Sequence, residues 1–341
     1  MSEIRYNHLD DAYVIIAPER LHRPDYMAWN SEVPTENDCP FCEGNETLTP
    51  GELFAIRDKG GATDSGGWHT RVVPNLYKAV QIEAPNRSHS EGVHSVWEGF
   101  GAHEVIIDTP RHHASMQEWT TQEYYNWLVT MKSRLRDLRG DSRIAHIALF
   151  KNHGMGAGAT QSHPHTQVVA LPVVPKSVVR LLERNYAHYR EHGRGIVEDI
   201  VAQEERDAKR IVSSNGAFLA FCPFASAYPF EVMVVSRELF SSLEQIDEDR
   251  MQQLSSLLHD LFKRMAVQLG NFDFNLTVST PPMHKSFDTA QLHDLIDPMC
   301  RFNIRIMPRI YRHGGFELST GTMINPVAPE RSAELLREGS K

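Results

Sequence analysis

Two long segments of the chain carry apolar residues at helical spacing. The first spans residues 120–139, the second spans about residues 247–269, and a glycine follows each of them. Thr120 and Glu123 form the capping-box pattern at the start of the first segment. These patterns predict two amphipathic helices whose apolar faces belong to the core. The apolar positions are Tyr124, Trp127, Leu128, Met131, Leu135 and Leu138 in the first helix, and Met251, Leu254, Leu258, Leu261, Phe262 and Met265 in the second.

Shorter apolar runs flank these helices and predict strands. They lie at residues 4–16, 102–108, 143–150, 217–238, 275–279 and 301–308, with a turn inside the first and the fourth run. The order strand, helix, strand therefore occurs twice, and residues 103–107 correspond to residues 230–234. Two copies of this unit, with helices packed on an antiparallel sheet, predict an α+β fold. The predicted halves are residues 1–195 and 196–341.

A row of polar side chains marks the last strand of the first copy. Residues 151–172 read KNHGMGAGATQSHPHTQVVALP, and alternation along a strand places His163, His165 and Gln167 on one face. Residues two apart on a strand are separated by roughly 7 Å, which suits one histidine to anchor and the other to react. The glycines at 154, 156 and 158 allow backbone N–H groups to turn toward an anion. A chance histidine pair on a half-buried strand is the alternative.

The two copies differ in chemistry. Where the first copy has its histidine pair, the second has Arg-Phe-Asn-Ile-Arg at residues 301–305. The sequence therefore predicts one reactive centre per chain.

A second candidate site is the turn Cys-Pro-Phe-Cys at residues 39–42. Such turns hold zinc or form a redox disulfide. Because no second Cys-x-x-Cys motif is present, a zinc ion here needs ligands from elsewhere in the chain. His112 and His163 are candidates because each lies close to a proline. A site of Cys39, Cys42, His112 and His163 would be closed, tetrahedral and structural, and it would leave His165 free.

Composition narrows the class of protein. The chain has 341 residues and a net charge of −9, which argues against a general nucleic-acid binder. Four cysteines do not indicate a disulfide scaffold. No signal-like segment opens the chain, and no apolar run approaches the roughly 18 residues that a membrane span needs. A soluble cytoplasmic protein without a membrane or nucleic-acid partner is the expectation.

Several blocks, taken in order, resemble the galactose-1-phosphate uridylyltransferase family of the histidine-triad superfamily. They are RYNHLDDAYVIIAPERLHRP, CPFCEGNE, RVVPNLYKAV, GAHEVIIDTPRHH, the glycine loop with HPHTQ, AYPFEV and GFELSTGTMINP. ADP-glucose phosphorylase is a close relative that shares them. The resemblance implies two histidine-triad-like repeats. The second lacks the catalytic histidines and contributes contacts to the sugar phosphate.

The resemblance also implies roles for individual residues. His165 would be the nucleophile that carries a uridylyl or adenylyl group, and Gln167 would bind a non-bridging phosphoryl oxygen. Asn152, Gly158 and Thr160 would hold the phosphates. The Zn²⁺ ligands of the family fall on Cys39, Cys42, His112 and His163. The contacts to nucleoside, sugar and neighbouring subunit would come from Phe41, Asn75, Glu317, Arg20 and Arg23, the two arginines acting across a homodimer with shared active sites.

The sequence leaves three candidate functions open. The first is a UDP-glucose:hexose-1-phosphate uridylyltransferase of galactose metabolism. The second is a nucleotide-sugar phosphorylase of the ADP-glucose phosphorylase type, in which inorganic phosphate accepts the adenylyl group. The third is a non-catalytic, zinc-stabilised nucleotide-binding protein. One departure from the family bears on the choice: Met323 stands where a glutamine is expected six residues after Glu317.

Overall fold

A computed structural model describes residues 2–16, 39–284, 289–312 and 314–339 of the chain. Arg20 and Arg23 lie outside the described residues. The strands are β1 Glu3–Asn7, β2 Ala12–Ile16, β3 Phe54–Arg57, β4 Trp68–Pro74, β5 Ser88–Glu91, β6 His94–Trp97, β7 Ala102–Ile107, β8 His146–His153, β9 His165–Leu171, β10 Ile211–Ser214, β11 Phe218–Phe221, β12 Val232–Ser236, β13 Phe274–Val278, β14 Asn303–Pro308 and β15 Met323–Asn325. The helices are α1 Thr121–Arg139, α2 Lys176–His192, α3 Ile196–Asp207, α4 Glu248–Leu269, α5 Ile296–Met299, α6 Gly315–Thr320 and α7 Pro329–Glu338.

One antiparallel sheet organises these elements. Its strand order is β10-β11-β12-β14-β13-β8-β9-β7-β4-β3. A smaller sheet, β1-β2-β15, lies apart from it, and β5 and β6 form a hairpin. Helices flank the large sheet, so the predicted α+β class is confirmed.

The two long helices form the core against one face of the sheet. All twelve apolar residues predicted for the faces of α1 and α4 are buried, and they belong to one hydrophobic cluster with β-strand residues such as Ile106, Val168 and Ile304. Thr120 caps α1 through the predicted capping box with Glu123, and Gly140 ends it. The opposite face of the sheet carries His103, His165 and Gln167, because side chains alternate along each strand.

The internal repeat is confirmed, with a correction of one residue. In the first copy Val105 pairs with Gln167, and in the second Met233 pairs with Arg305. The same residues face the core in both copies when residues 104–107 are matched with residues 232–235. The sequence had matched residue 103 with residue 230, so each residue of the second copy lies one position later than predicted. The predicted match was based on similar residue types. It was off by one because a shift of one residue along a strand moves every side chain to the opposite face of the sheet.

The corrected register places Asn303 where the first copy has His165. His165 Nδ1 lies 2.8 Å from the carbonyl oxygen of His163, and Asn303 Nδ2 lies 3.1 Å from the carbonyl oxygen of Arg301, so the same local bond is kept. An amide cannot act as the nitrogen nucleophile that an imidazole provides. The second copy therefore lacks the histidine chemistry, as the sequence predicted.

Two strands, β8 and β14, begin two or three residues later than predicted, β14 at Asn303 instead of residue 301. The sequence placed a strand at residues 143–150, whereas β8 begins at His146. Residues 141–144 form a turn in which the N–H of Ile144 donates to the carbonyl of Asp141. Within the described residues, no helix has the length and apolar character needed to cross a membrane.

A buried ion pair joins α1 to the sheet and supports a stability prediction. Arg134 donates to both carboxylate oxygens of Glu104, at 2.7 and 2.8 Å, and both side chains are buried. Removing Glu104 leaves the buried Arg134 with only the exposed carboxylate of Asp137, 2.8 Å away, so we expect Glu104→Ala to lower the free energy of unfolding by about 2 kcal/mol. Urea unfolding measures this. Glu334→Ala breaks an exposed pair with Arg331 and serves as the control; an equal effect of both substitutions would contradict the prediction.

Candidate active site

His165 begins β9 and is almost buried, with 8% of its surface exposed. Its Nδ1 lies 2.8 Å from the carbonyl oxygen of His163, so Nδ1 carries the proton and donates it. The remaining nitrogen, Nε2, then holds a lone pair. Burial, with the charge of Lys151 nearby, lowers the pKa of His165. The ring is therefore neutral near pH 7 and has one nitrogen available as a nucleophile.

A cavity of about 570 Å³ lies beside this ring. His165 lines it together with the glycine-rich loop and with Asn271 and Asp273 of the second half. His153 lines it too, and burial lowers the pKa of this histidine to about 3. The cavity is bounded by both halves of the chain, so a ligand bound beside His165 meets residues of each.

A buried ion pair lies behind His165. The ammonium of Lys151 donates to Asp108 at 2.7 Å and to the carbonyl oxygen of His165 at 3.1 Å. Lys151 is 1% exposed and Asp108 is fully buried. This pair was not predicted from the sequence. The sequence did contain a signal for it. Lys151 lies two residues after Leu149 and four after Ile147, so on a strand it faces the core with them, and a charged side chain in the core needs a partner of opposite charge.

Gln167 and Asn75 meet at one histidine on the same face of the sheet. The Oε1 atom of Gln167 and the Nδ2 atom of Asn75 each lie 3.0 Å from Nε2 of His103. Neither residue is among those that line the cavity beside His165. The ring centroid of Phe41 lies 5.7 Å from that of His165. The structure therefore brings Phe41 next to His165 and places Asn75 beside Gln167.

The glycine-rich loop is held by the second half of the chain. Asn152 Oδ1 accepts from Asn275 at 2.8 Å, and the N–H of Gly156 donates to Asp273 at 2.6 Å. Thr160 lines the cavity, whereas Gly158, exposed at a φ of 86°, does not. The N–H of Gly156 thus turns toward an anionic group of the protein itself, the carboxylate of Asp273, and that the loop N–H groups meet a bound anion stays a prediction.

Gly154 is the tightest point of this loop. Its φ is +80°, and a Cβ atom there would lie 1.8 Å from Oδ1 of Asp273. We expect Gly154→Ala to displace Asp273 and to lower the free energy of unfolding by about 2 kcal/mol. Gly158→Ala meets nothing within 4 Å and tests the backbone strain alone, with an expected loss of about 1 kcal/mol. Urea unfolding of both variants checks this, and equal losses would contradict a clash at Gly154.

The four predicted metal ligands form one cluster. The ligand atoms of Cys39, Cys42, His112 and His163 all lie within 4.8 Å of one another. Cys42 Sγ lies 3.1 Å from His112 Nδ1 and 3.6 Å from His163 Nδ1, and Cys39 Sγ lies 3.8 Å from His163 Nδ1. Metal–sulfur and metal–nitrogen bonds of about 2.3 and 2.1 Å in a tetrahedron separate sulfur from nitrogen by about 3.5 Å. The donor set and its spacing therefore fit a four-coordinate metal ion.

The surroundings of the cluster orient its imidazoles. His163 Nε2 donates to the carbonyl oxygen of Thr109 at 2.8 Å, which leaves Nδ1 for a metal. Burial lowers the pKa of His163 to about 4, so the ring is neutral. His112 Nε2 lies 3.3 Å from the hydroxyl of Ser162. His163 and His165 therefore separate as expected, one toward the thiols and one toward the cavity.

Glu317, the predicted sugar contact, lies away from the cavity beside His165. Glu317 lies on α6, where its carboxylate accepts from the N–H of Gly314 at 2.9 Å, and it does not line the cavity beside His165. Met323 lies on β15 and packs against the cluster of Val14, Ile16 and Ala225. Its side chain has no hydrogen-bond donor to offer a sugar.

Comparison with known proteins places the chain in a family. The profile of the galactose-1-phosphate uridyl transferase N-terminal domain matches residues 1–175, and that of the C-terminal domain matches residues 182–338. The chain belongs to the galactose-1-phosphate uridyl transferase family. The resemblance drawn from its sequence blocks is confirmed. Membership in this family makes the chain an enzyme of the nucleotidyltransferase class.

Individual members of the galactose-1-phosphate uridyl transferase family match over nearly the whole chain. An ADP-glucose phosphorylase of Arabidopsis thaliana is 30% identical over 99% of this chain and 93% of its own length. A galactose-1-phosphate uridylyltransferase of Thermotoga maritima is 24% identical over 99% of this chain and 98% of its own. The crystal structure of an ADP-glucose phosphorylase from Arabidopsis thaliana, with bound ADP-glucose, matches with a TM-score of 0.80 and covers 99% of both chains.

Proposed function

We propose that this chain transfers a nucleotidyl group from a nucleotide sugar to a second phosphate through a covalent bond to His165. One observation carries the proposal: the imidazole has its Nδ1 proton held by the carbonyl of His163 and its Nε2 lone pair left for attack. A nucleophile of this kind divides a difficult exchange between two bulky phosphates into two easier steps.

The chemistry then runs as two displacements. Nε2 of His165 attacks the α-phosphorus, a nitrogen–phosphorus bond forms, and the bond to the sugar phosphate breaks with its electron pair on the departing oxygen. The acceptor phosphate then attacks the same phosphorus, and the electron pair returns to Nε2. The bond from Nδ1–H to the His163 carbonyl stabilises the positive ring of the intermediate. The amides of Gln167 and Asn152 supply donors for the non-bridging oxygens, and Thr160 a hydroxyl for the phosphates.

The first candidate reaction is uridylyl transfer from UDP-glucose to a hexose 1-phosphate in galactose metabolism. The family profiles and the Thermotoga maritima relative support it. The second is an adenylyl transfer to inorganic phosphate, the reaction type of an ADP-glucose phosphorylase. It is supported by the Arabidopsis thaliana relative, which is 30% identical.

For the metal we propose Zn²⁺, bound by Cys39, Cys42, His112 and His163. When bound, it supplies structural cross-linking rather than reaction chemistry, because all four positions are filled by protein ligands. His163 would then be fixed at the residue whose carbonyl holds His165. The metal cluster would thus set the position of the nucleophile.

We propose roles for the remaining predicted site residues and for the two halves of the chain. Phe41 and Asn75 would contact the nucleoside, and Gly158 would shape the phosphate loop. Residues 1–195 would carry the nucleophile and residues 196–341 contacts to the sugar phosphate. Arg20 and Arg23 would act across a homodimer with shared active sites, and Glu317 would contact the sugar.

The deciding experiment isolates the covalent intermediate. The protein is incubated with UDP-glucose or ADP-glucose carrying a labelled α-phosphate, and the acid-labile labelled protein is recovered. It is then divided between galactose 1-phosphate and inorganic phosphate. The donor that labels the protein names the base, and the acceptor that discharges the label names the reaction. Nucleotide binding without any label on His165 would leave only a non-catalytic nucleotide-binding protein and would refute the proposal.

A further inference from the structure

A backbone hydrogen bond indicates which tautomer the ring of His103 adopts. The N–H of Ala79 lies 3.1 Å from Nδ1 of His103 and donates to it. A neutral ring that accepts at Nδ1 carries its proton on Nε2. Nε2–H therefore donates to Oε1 of Gln167 at 3.0 Å.

The bond from His103 sets the direction of the Gln167 amide. With Oε1 occupied, the NH₂ group of Gln167 is the end left to face a ligand. Gln167 does not line the cavity itself, but it lies two residues from His165 on the same face of β9, within reach of a ligand that extends beyond the cavity. Asn75 Nδ2 also lies 3.0 Å from the same ring nitrogen, but a protonated Nε2 cannot accept from it. Asn75 Oδ1 accepts from the N–H of Tyr77, so Asn75 keeps its amide protons for another acceptor.

A second amide is held in the same way from the other half of the chain. Asn275 Nδ2 donates to Oδ1 of Asn152 at 2.8 Å and to the carbonyl oxygen of Ala157 at 2.9 Å. Asn152 and Asn275 are direct partners where β8 pairs with β13. Asn152 has the same parity on β8 as the outward-facing Ala148 and Phe150, and it lines the cavity beside His165. Its NH₂ group is likewise the end left for a ligand.

We propose that His103 and Asn275 are positioning residues that fix the orientation of the Gln167 and Asn152 amides, so that both present N–H donors to an anion beside His165. The proposal rests on the proposed function and deepens it. An amide reversed by rotation would turn its oxygen toward a phosphoryl oxygen, and two acceptors repel. The held amides thus select a group that only accepts hydrogen bonds, as a phosphate ester or anhydride does.

His103 is tested with two substitutions and one double variant. His103→Phe keeps a ring but removes the donor, whereas His103→Gln can place an amide N–H near the lost Nε2. We expect His103→Phe to slow label formation on His165 by about 10- to 100-fold through kcat rather than KM, since removing one donor to a developing charge has effects of this order or larger. His103→Gln should recover most of the rate. In a Gln167→Ala background, His103→Phe should change the rate by less than about 2-fold.

Asn275 is tested by a parallel cycle. Asn275→Asp keeps the shape but cannot donate to Asn152, and we expect a loss of about 10-fold that disappears in an Asn152→Ala background. Thermal unfolding of each variant separates this from loss of the fold. Additive losses in both cycles would mean that His103 and Asn275 do not act through the amides, and would overturn the inference.

A second readout separates this inference from the proposed function. For the wild type and each single and double variant, calorimetry measures the dissociation constant for inorganic phosphate. If the wild type binds phosphate without forming a label, the proposed function is wrong. The roles of His103 and Asn275 can then still be decided from whether the losses of phosphate affinity in the double variants are non-additive. Coupled losses in phosphate binding support the inference, and additive losses overturn it. A wild type that neither binds phosphate nor forms a label overturns both.

Discussion

His165→Gly is expected to abolish nucleotidyl transfer, with the rate of label formation falling by at least about 10⁴-fold. Glycine removes the nitrogen that forms the covalent bond, and loss of a nucleophile has effects of this size or larger in enzymes that use one. The metal cluster does not include His165, so metal content and the unfolding midpoint should remain close to those of the wild type. Quench-flow or filter-binding measurement of labelled protein gives the rate.

The matched control for His165 is a second histidine of the same cavity. His153 lines it and stacks on Phe274, with ring centroids 5.0 Å apart. His153→Asn should slow label formation by less than about 10-fold, because no step of the proposed chemistry uses its ring. If His165→Gly still forms an acid-labile label at the wild-type rate, His165 is not the nucleophile. If it loses its metal, the division of roles between His163 and His165 is wrong.

Removing one thiol from the metal cluster is expected to have the largest effect on stability. Cys42→Ser should lose the metal and lower the free energy of unfolding by at least about 3 kcal/mol, because the binding free energy of a structural metal is available only to the folded chain. Metal analysis and urea unfolding measure the two effects. A chelator should reduce the stability of the wild type and leave that of Cys42→Ser nearly unchanged.

Cys300→Ser is the control for this substitution. Cys300 is half-buried like Cys42 but lies outside the cluster. Burial raises the pKa of its thiol to about 12, so it stays protonated and is a poor metal ligand. This variant should keep its metal and most of its stability. Equal metal loss in the two variants would mean that the cluster of Cys39, Cys42, His112 and His163 does not hold the ion.

Local patterns were enough to predict much of this molecule. The apolar periodicity placed both long helices, and the Thr120–Glu123 capping box located the start of α1. The separate role of His163 followed from the cysteine turn, whereas the prediction that His163 lies on the same strand as His165 is wrong, because β9 begins only at His165. Such features depend on residues close in sequence, or on residue types with narrow chemistry, and these are what a sequence displays directly.

Features set by long-range pairing could not be predicted in the same way. Asp273 takes the N–H of Gly156, and Asn275 holds Asn152, across more than a hundred residues. Nothing in the local pattern of β13 marks these side chains as parts of the candidate site. The one-residue error in matching the two repeats has a related cause, because similar apolar residues fit either face until the pairing partner is known.

The join between β8 and β13 also limits how the chain can be divided. These two strands lie at the middle of the large sheet, and their pairing is where the two copies meet. A truncated gene ending near residue 195 would leave β8 as an open edge, with a row of N–H and C=O groups free to recruit other chains. Such a fragment is expected to aggregate rather than to serve as an independent module, although His165 and the cluster of Cys39, Cys42, His112 and His163 belong to it.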